Sequence, residues 1–345
     1  MLQVENHTPF AMSLAPLPGR DGRETLFVMI RASFALNRAG VGEPSDEQPE
    51  PELVDRYRGE DGASSLLCAS DLHPGKRGTD VVLMGSAWAR GGVPTQMVDT
   101  CVRVAERAKV VRVYGDRSWR PGAVGPRPSP PEPFVSMPLI WERAYGGRGP
   151  TDPRTERYTV EARNPVGRGF AKGRPNAELH VEPVPNLVDP RVPFERFGQD
   201  ALPACYAFIA PHWQPRAALA GTYDAAWQRR RAPYLPEDCD PGFFNAADPQ
   251  LRFDRFLLGD EPVELHGLTP EGTLNFALPR LDWKIEVKHG RRWRLDCALA
   301  ADLETVLFEP DLGRVSLSFR AAHPCDKHLL DIRKVKVDLQ STDEN

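Results

Sequence analysis

Prolines constrain this chain more than any other residue type. There are 35 of them in 345 residues, about 10% and roughly twice the usual share, whereas the 28 glycines are close to average. Each proline fixes φ and removes a backbone donor, so it is excluded from helix interiors and from central strands. We therefore expect many rigid, extended connections and few long helices.

The first third of the chain has the patterns of β-strands. Residues 25–36 (TLFVMIRASFAL) are an apolar run that predicts a strand buried on both faces near its centre. Residues 80–89, 96–105 and 109–114 also predict strands, and the last two alternate in side-chain type. A turn-rich RGGVP segment separates the first two of these, and short links join all three. This arrangement favours an antiparallel meander.

The last third predicts strands again, about ten residues apart with turns between them, which is typical of an all-β sandwich or barrel. The predicted strands are 263–268, 273–278, 282–287, 291–295, 304–308 and 314–320. Residues 25–36 and 314–321 have similar patterns that end in charge. We therefore expect the two ends of the chain to share one assembly.

The central region, residues 121–255, is dominated by loops and short helices. Residues 121–133 hold six prolines in thirteen residues and predict a semi-rigid polyproline connector. The expected fold is mainly β, or β-rich α+β, with antiparallel sandwich-like sheets, a proline-rich loop region and short helices. We expect one domain over residues 1–345, with β-rich sub-regions at 1–120 and 256–339.

Composition excludes some partners. The formal net charge is −4 and the pI is about 6.1, which disfavours non-specific nucleic-acid binding.

No run of 18 apolar residues predicts a membrane span, and MLQVENHTPFAMSL lacks the basic and apolar regions of a secretory signal. Six scattered cysteines without a CxxC pair indicate reduced, mostly buried thiols. We expect a cytoplasmic protein without nucleic-acid or membrane partners.

Residues 203–247 contain the most specific local pattern. Within them, residues 223–231 predict a helix that Thr222 or Asp224 caps and Pro233 ends. Its last turn carries three arginines, where positive charge suits a helix C-terminus. Trp, Tyr, Phe and Arg are enriched in protein interfaces. The candidate partner-binding residues are Trp141, Tyr145, Trp213, Tyr223, Trp227, Arg229, Arg230, Arg231, Tyr234, Phe243 and Phe244.

The helical spacing also allows a second interpretation. Tyr223 and Trp227 are four residues apart and share one face of the predicted helix. This spacing is more often typical of core packing than of binding. Arg230 and Arg231 lie toward other faces, so the helix can pack inward and still present arginines outward.

Patterns for catalysis and metal binding are weak. The chain has no GxSxG, no HExxH and no phosphate-loop motif. His323, Cys325 and His328 fall within six residues but lack a second ligand pair, so we interpret them as a surface turn with a stray thiol. His212 is interpreted as a partly buried, hydrogen-bonded imidazole. No catalytic residue, metal site or cofactor is predicted.

Two glycine-rich segments contain arginine. The segments YGGRG at 145–149 and GRG at 167–169 predict tight turns with positive φ. The alternative is a rim at which Arg148 and Arg168 accept an anionic partner.

Several segments together resemble a bacterial family catalogued as domain of unknown function 2169. The main one is GTYDAAWQRRRAPYLPEDCDPGFFNAA at 221–247, and the others match in the family's order along nearly the whole chain. Cys239 stands where the family pattern has Phe, and NAADPQL replaces a more acidic, glutamine-bearing version. The supporting segments are 62–89, 110–119, 137–147, 164–170 and 309–321.

The resemblance implies a non-enzymatic role in type VI secretion. Such proteins act as adaptors or chaperones that hold a toxin effector and help to load it onto the spike. The expected partners are therefore a protein effector and either the valine-glycine-repeat spike protein or a PAAR-type tip protein.

Two other functions stay open at this point. One is a carbohydrate-acting hydrolase that uses Asp224, Glu237 or Asp238 as its acids. The other is a carbohydrate-binding β-sandwich in which Trp141 and Trp227 stack on sugar rings.

Overall fold

The fold of this chain was obtained as a computed structural model that describes residues 2–123, 125–152, 157–170, 183–290 and 297–340. The strands of the first part are β1 (Gln3–Asn6), β2 (Ala11–Pro18), β3 (Glu24–Asn37), β4 (Gly40–Pro44), β5 (Arg56–Tyr57), β6 (Leu66–Cys68), β7 (Asp80–Leu83), β8 (Ser86–Trp88), β9 (Met97–Val104) and β10 (Arg107–Tyr114). The middle strands are β11 (Trp119–Arg120), β12 (Arg127–Pro128), β13 (Ser136–Pro138), β14 (Tyr145–Gly146), β15 (Arg148–Asp152), β16 (Arg157–Val160), β17 (Arg168–Gly169) and β18 (Leu187–Val188). The last strands are β19 (Pro262–His266), β20 (Thr273–Ala277), β21 (Trp283–His289), β22 (Cys297–Leu299), β23 (Asp302–Glu309), β24 (Arg314–Pro324) and β25 (Ile332–Leu339).

Helical structure is sparse, as the proline content predicts. Within the described ranges the α-helix is α1 (Ala225–Arg230). The short 3-10 helices are Arg90–Gly92, Trp141–Arg143, Arg216–Leu219, Pro241–Phe244, Pro249–Leu251, Pro310–Leu312 and Leu329–Asp331. Three of them have proline in their first turn, where its missing N–H costs no hydrogen bond.

The centre of the fold is a six-stranded sheet with the order β2-β3-β24-β23-β7, and β4 also pairs with β3. Strands β3 and β24 run antiparallel, from Ala35 opposite Arg314 to Thr25 opposite Pro324. The expected association of the two ends of the chain is confirmed by this pairing. Residues 25–34 of β3 are all buried, including the polar Arg31 and Ser33, and burial on both faces explains why most of this segment is apolar.

Two further sheets complete the β structure. A five-stranded sheet has the order β18-β10-β9-β19-β20, and a four-stranded sheet has the order β1-β25-β21-β22. Most pairs are antiparallel, and the short strands form two-stranded ribbons. The mainly β fold expected from the sequence is confirmed. The strand expected at 291–295 lies outside the described residues.

The expected meander over residues 80–114 is wrong. Strands β9 and β10 do form a hairpin, with Val104 opposite Arg107. Strand β7 instead pairs in parallel with β23, and β8 pairs with β13. The predicted strand breaks between β7 and β8, where the carbonyl of Gly85 accepts a hydrogen bond from the N–H of Leu139. An apolar run defines a buried strand but does not identify its partner.

Residues of all three large sheets contribute to one hydrophobic core. A smaller cluster forms beside it from the central region: Trp119, Tyr145, Phe170, Val184, Val188, Phe194 and Ala201. None of the helices in the described ranges has the length and apolar character that crossing a membrane requires.

Candidate partner-binding surface

Three of the candidate partner-binding residues are core residues, which corrects the sequence-based assignment. Trp141, Tyr145 and Trp213 are 2%, 3% and 0% exposed. The two indole rings pack edge to face at 5.9 Å, and Trp141 Nε1 donates to the carbonyl of Phe208 at 2.9 Å. Burial also raises the pKa of Tyr145 to about 12. Trp141 is therefore also excluded as an exposed stacking platform for sugars.

The other candidates lie on or next to one loop, which we call the α1 loop (residues 220–239). It leaves the body after the 3-10 helix Arg216–Leu219 and returns before Pro241–Phe244. Its ends are joined by a hydrogen bond of 3.0 Å from the N–H of Asp240 to the carbonyl of Leu219. It is thus a closed surface excursion rather than a linker.

Helix α1 is shorter than the sequence predicts. It spans Ala225–Arg230, and Asp224 is its N-cap, accepting from the N–H of Trp227 at 2.8 Å. Thr222, the alternative cap, instead donates through its N–H and its hydroxyl to the carboxylate of Asp238. This contact ties the start of the loop to its end.

Aromatic side chains form the outer part of the α1 loop. Tyr223 and Trp227 meet with ring centroids 4.7 Å apart, and Trp227 Nε1 donates to the carbonyl of Tyr234 at 2.8 Å. Tyr223 is 54% exposed and Tyr234 is 39% exposed. Tyr223 precedes α1, so the helical face predicted for Tyr223 and Trp227 is not formed. The two rings instead pack on each other within the loop, which leaves aromatic area open to a partner.

The three arginines of the loop have different roles. Arg231 donates to the carbonyls of Leu235 and Arg20, both at 2.9 Å, and so fixes the loop to the β2–β3 turn. Arg229 and Arg230 are exposed. Among the described residues neither of these two has an ion pair or a side-chain hydrogen bond. They are the loop's available cations.

A buried arginine organises the base of the α1 loop. Arg216 is 6% exposed, and its guanidinium donates to the carbonyls of Phe243 and Ile209 at 2.9 and 2.5 Å. It also lies 5.5 Å from the centre of the Phe243 ring. Burial lowers its pKa. Phe243 and Phe244 are half-buried, so these two candidates serve as the base of the loop.

The base is attached to the six-stranded sheet through residues 73–80. The ring of Phe244 stacks on His73 at 5.4 Å, and Arg77 makes a bidentate ion pair with Asp240. The side chain of Asn245 donates to Asp80 at 3.0 Å. The aromatic surface is therefore presented from a rigid support.

Two of the acids proposed for a hydrolase, Asp224 and Asp238, stabilise the α1 loop through hydrogen bonds. Asp224, Glu237 and Asp238 line one surface pocket with Trp227. Asp224 caps α1, and the hydrogen bonds from Thr222 hold the pKa of Asp238 below its ordinary value. A general acid at neutral pH requires the opposite shift.

The glycine-rich segments have the expected positive φ at Gly146, Gly147 and Gly169, but they lie mostly in the short strands β14, β15 and β17 rather than in tight turns. Gly146 has φ +152°, and a Cβ there would lie 2.1 Å from the carbonyl oxygen of Asn164. The Asn164 side chain donates to the carbonyls of Trp141 and Tyr145. Arg168 donates to the carbonyl of Glu142, so its guanidinium is a structural element.

The segment considered as a metal site is more buried than expected. His323 and Cys325 are 6% and 0% exposed, which corrects their assignment to a surface turn. Cys325 Sγ lies 3.4 Å from the carbonyl of Glu24. His323 Nε2 lies 3.1 Å from His289 Nε2.

One protein family matches most of this chain. A family described as "Uncharacterized protein conserved in bacteria (DUF2169)" matches residues 21–320. The chain belongs to this family. Neither the curated proteins nor the solved structures contain a match. The DUF2169 region holds both the α1 loop and residues 73–80 that support its base.

Sequence reasoning missed the residues of the DUF2169 region that fix the loop. Asp80 lies 165 residues from its partner Asn245, Arg216 contacts only backbone carbonyls among its hydrogen-bond partners in the described residues, and neither is part of a recognisable motif. In the sequence, each of these two residues is a charged residue next to an apolar segment. Many other positions have the same pattern, so it could not have selected Arg216 and Asp80.

Proposed function

We propose that this protein is an adaptor or chaperone for a toxin effector of a type VI secretion system. It binds the effector and positions it at the spike protein or a PAAR-type tip. The observation that carries this proposal is the α1 loop, with its exposed tyrosines and with two arginines that have no acidic partner among the residues the structure describes. The assignment of the client to type VI secretion comes from the family resemblance.

The composition of the loop suits reversible protein binding. Tyr and Trp supply contact area with few rotatable bonds, and arginine supplies charge-assisted hydrogen bonds to carboxylates. Arg229 and Arg230 favour a client surface that is acidic next to an apolar patch. A client must also be released, and an interface of this kind gives moderate affinity rather than permanent association.

Attachment of the loop lowers the cost of binding. Asp224, Arg231 and Asp238 already fix its conformation through hydrogen bonds. Less conformational entropy is therefore lost when a client binds than for a disordered segment. We propose that this occurs in the cytoplasm before secretion, without a cofactor, nucleic acid or membrane.

Affinity purification from the native host, with the secretion system expressed and mass spectrometry as readout, tests the proposal. The wild-type protein should recover one toxin-like protein together with a spike or tip component. Changing Trp227→Ala together with Arg230→Glu should reduce that recovery at least about tenfold, which corresponds to about 1.4 kcal/mol.

A charge-matched control is Arg90→Glu, which reverses an exposed arginine outside the α1 loop. This variant should recover the client at the wild-type level. Recovery of the protein alone by the wild type contradicts the adaptor function. Full recovery by a folded double variant contradicts the role of the α1 loop.

A further inference from the structure

A second candidate site is a cavity of about 340 Å³ that lies apart from the aromatic face of the α1 loop. Its walls combine the end of the core with the residues that follow β18 and the 3-10 helix Pro249–Leu251. Trp141 and Ile209, both buried, supply apolar area. The volume is in the range of cavities that accept small organic groups.

A buried ammonium group lies in the wall of this cavity. Lys109 is 3% exposed, and its Nζ lies 2.5 Å from Asp248 Oδ2. The other carboxylate oxygen of Asp248 accepts from the N–H of Gln250 at 3.0 Å. An ammonium group has three donors, and within the described part of the chain Lys109 Nζ has this one acceptor. Lys109 therefore retains donors for an occupant.

The charges around the cavity are matched in pairs. Lys109 pairs with Asp248, Arg191 with Asp189, and Arg163 with Glu161. A charged occupant would lose its hydration without gaining an opposite charge that is still unpaired. A neutral group with a hydrogen-bond acceptor fits this lining, because it can accept from Lys109 without such a loss.

The rim indicates that the occupant extends beyond the cavity. Leu202 at the opening is 50% exposed, and Pro215 and Pro249 are exposed next to it. Apolar area therefore continues from the interior onto the surface. A side chain on a polypeptide covers both, whereas a free small molecule of this volume covers the interior alone.

We propose that this cavity receives one large apolar side chain of the client, such as Phe, Leu or Met. A neutral carbonyl of the same client segment accepts a hydrogen bond from Lys109. The client in this proposal rests on the proposed function, but the binding chemistry of the cavity does not depend on it.

The cavity is tested with N-acetyl-phenylalaninamide, which supplies an apolar side chain and neutral carbonyls. Saturation-transfer NMR should detect its binding to the wild-type protein, and N-acetyl-glutamic acid amide should give no signal. Gln250→Trp places a large ring at the opening and should abolish the transfer. Gln96→Trp, the same change at an exposed position outside the cavity, should leave it unchanged.

The role of Lys109 is tested by changing both members of its ion pair. Lys109→Met with Asp248→Leu removes the donor without leaving a buried charge alone, and it should weaken probe binding about tenfold. Equal binding by this folded variant contradicts the hydrogen bond. Absence of transfer to the wild type, or transfer retained by Gln250→Trp, contradicts the site.

Client recovery separates this proposal from the adaptor function. The double change Trp227→Ala and Arg230→Glu should leave probe binding intact whether or not the protein has a client. Gln250→Trp should lower the recovery of the client, relative to the wild type, in the affinity-purification assay. If the probe binds but Gln250→Trp recovers the client fully, the cavity receives a free small molecule and the assignment to a client side chain is wrong.

Discussion

Asp80 and Asn245, 165 residues apart in the chain, connect the central sheet to the base of the α1 loop. The Asn245 amide donates to Asp80 Oδ1 at 3.0 Å, and Lys76 Nζ donates to Asp80 Oδ2 at 2.8 Å. The Asp80 side chain is fully buried and that of Lys76 is 4% exposed. One carboxylate therefore compensates a buried cation and holds the segment that ends the loop.

Replacing Asp80 should destabilise the whole protein. Asp80→Asn keeps the shape of the side chain but leaves the Lys76 ammonium group buried without its carboxylate. Removing one partner of a buried pair costs about 3–5 kcal/mol, so the midpoint of urea unfolding should fall accordingly. Asp254→Asn, at a side chain that is 70% exposed, should change the free energy of unfolding by less than about 0.5 kcal/mol. A loss below about 1 kcal/mol for Asp80→Asn would show that the pair contributes little.

Substitution of Gly146 should be more damaging than substitution of an unobstructed glycine. Gly146→Ala would place Cβ 2.1 Å from the carbonyl oxygen of Asn164, at φ +152°. Both backbone strain and a steric clash oppose this change, and we expect a cost of about 3 kcal/mol or more. Gly62→Ala, at φ +73° with no neighbour within 4 Å, should cost about 1 kcal/mol. Equal thermal shifts for the two variants would show that the contact with Asn164 relaxes freely.

The central sheet was predictable from sequence because its signal is local and strong. The run at 25–36 is mostly apolar at successive positions, which indicates burial on both faces, and residues 314–321 alternate apolar and polar side chains. The location of β7 was not predictable, because Asp80–Leu83 has the pattern of a buried strand with any of several partners. Its pairing with β23 depends on contacts more than 200 residues away in the chain.

The burial of the candidate partner-binding residues was likewise not predictable from local sequence, because it depends on residues distant in the chain. Trp141 and Trp227 both stand two residues before an arginine in segments of the family pattern, and residue type alone cannot separate them. Trp141 is buried because Trp213 and the carbonyl of Phe208 surround its ring. Trp227 stays at the surface because its helix is only six residues long and packs on its own loop.

Removing the cap of α1 should loosen the loop without unfolding the body. Asp224→Ala deletes the acceptor of the Trp227 N–H, which costs about 1 kcal/mol of helix stability. Amide hydrogen exchange over residues 225–230 should therefore become about fivefold faster. Exchange in β3 and β24 should not change. Asp61→Ala, at an exposed position outside the loop, should leave exchange over residues 225–230 at the wild-type rate, and equal rates in Asp224→Ala would contradict the role of the cap.

Acid should destabilise the protein through His73, which supports the base of the α1 loop. Burial and the adjacent Arg320 guanidinium lower the pKa of His73 well below its ordinary value. The unfolded chain therefore binds a proton near pH 6.5 that the folded protein does not bind. Stability should fall as the pH drops below about 6.5, with a slope of up to about 1.4 kcal/mol per pH unit.

The variant His73→Gln isolates this contribution. The pKa of His212 is also lowered, by burial and by Arg216, so part of the wild-type slope should persist in the variant. Urea unfolding between about pH 5 and pH 6.5 should give a smaller slope for His73→Gln than for the wild type. His266→Gln, at an exposed position, should retain the wild-type slope. Identical slopes for all three proteins would mean that His73 takes up its proton in the folded state, with its ring free of the stack on Phe244.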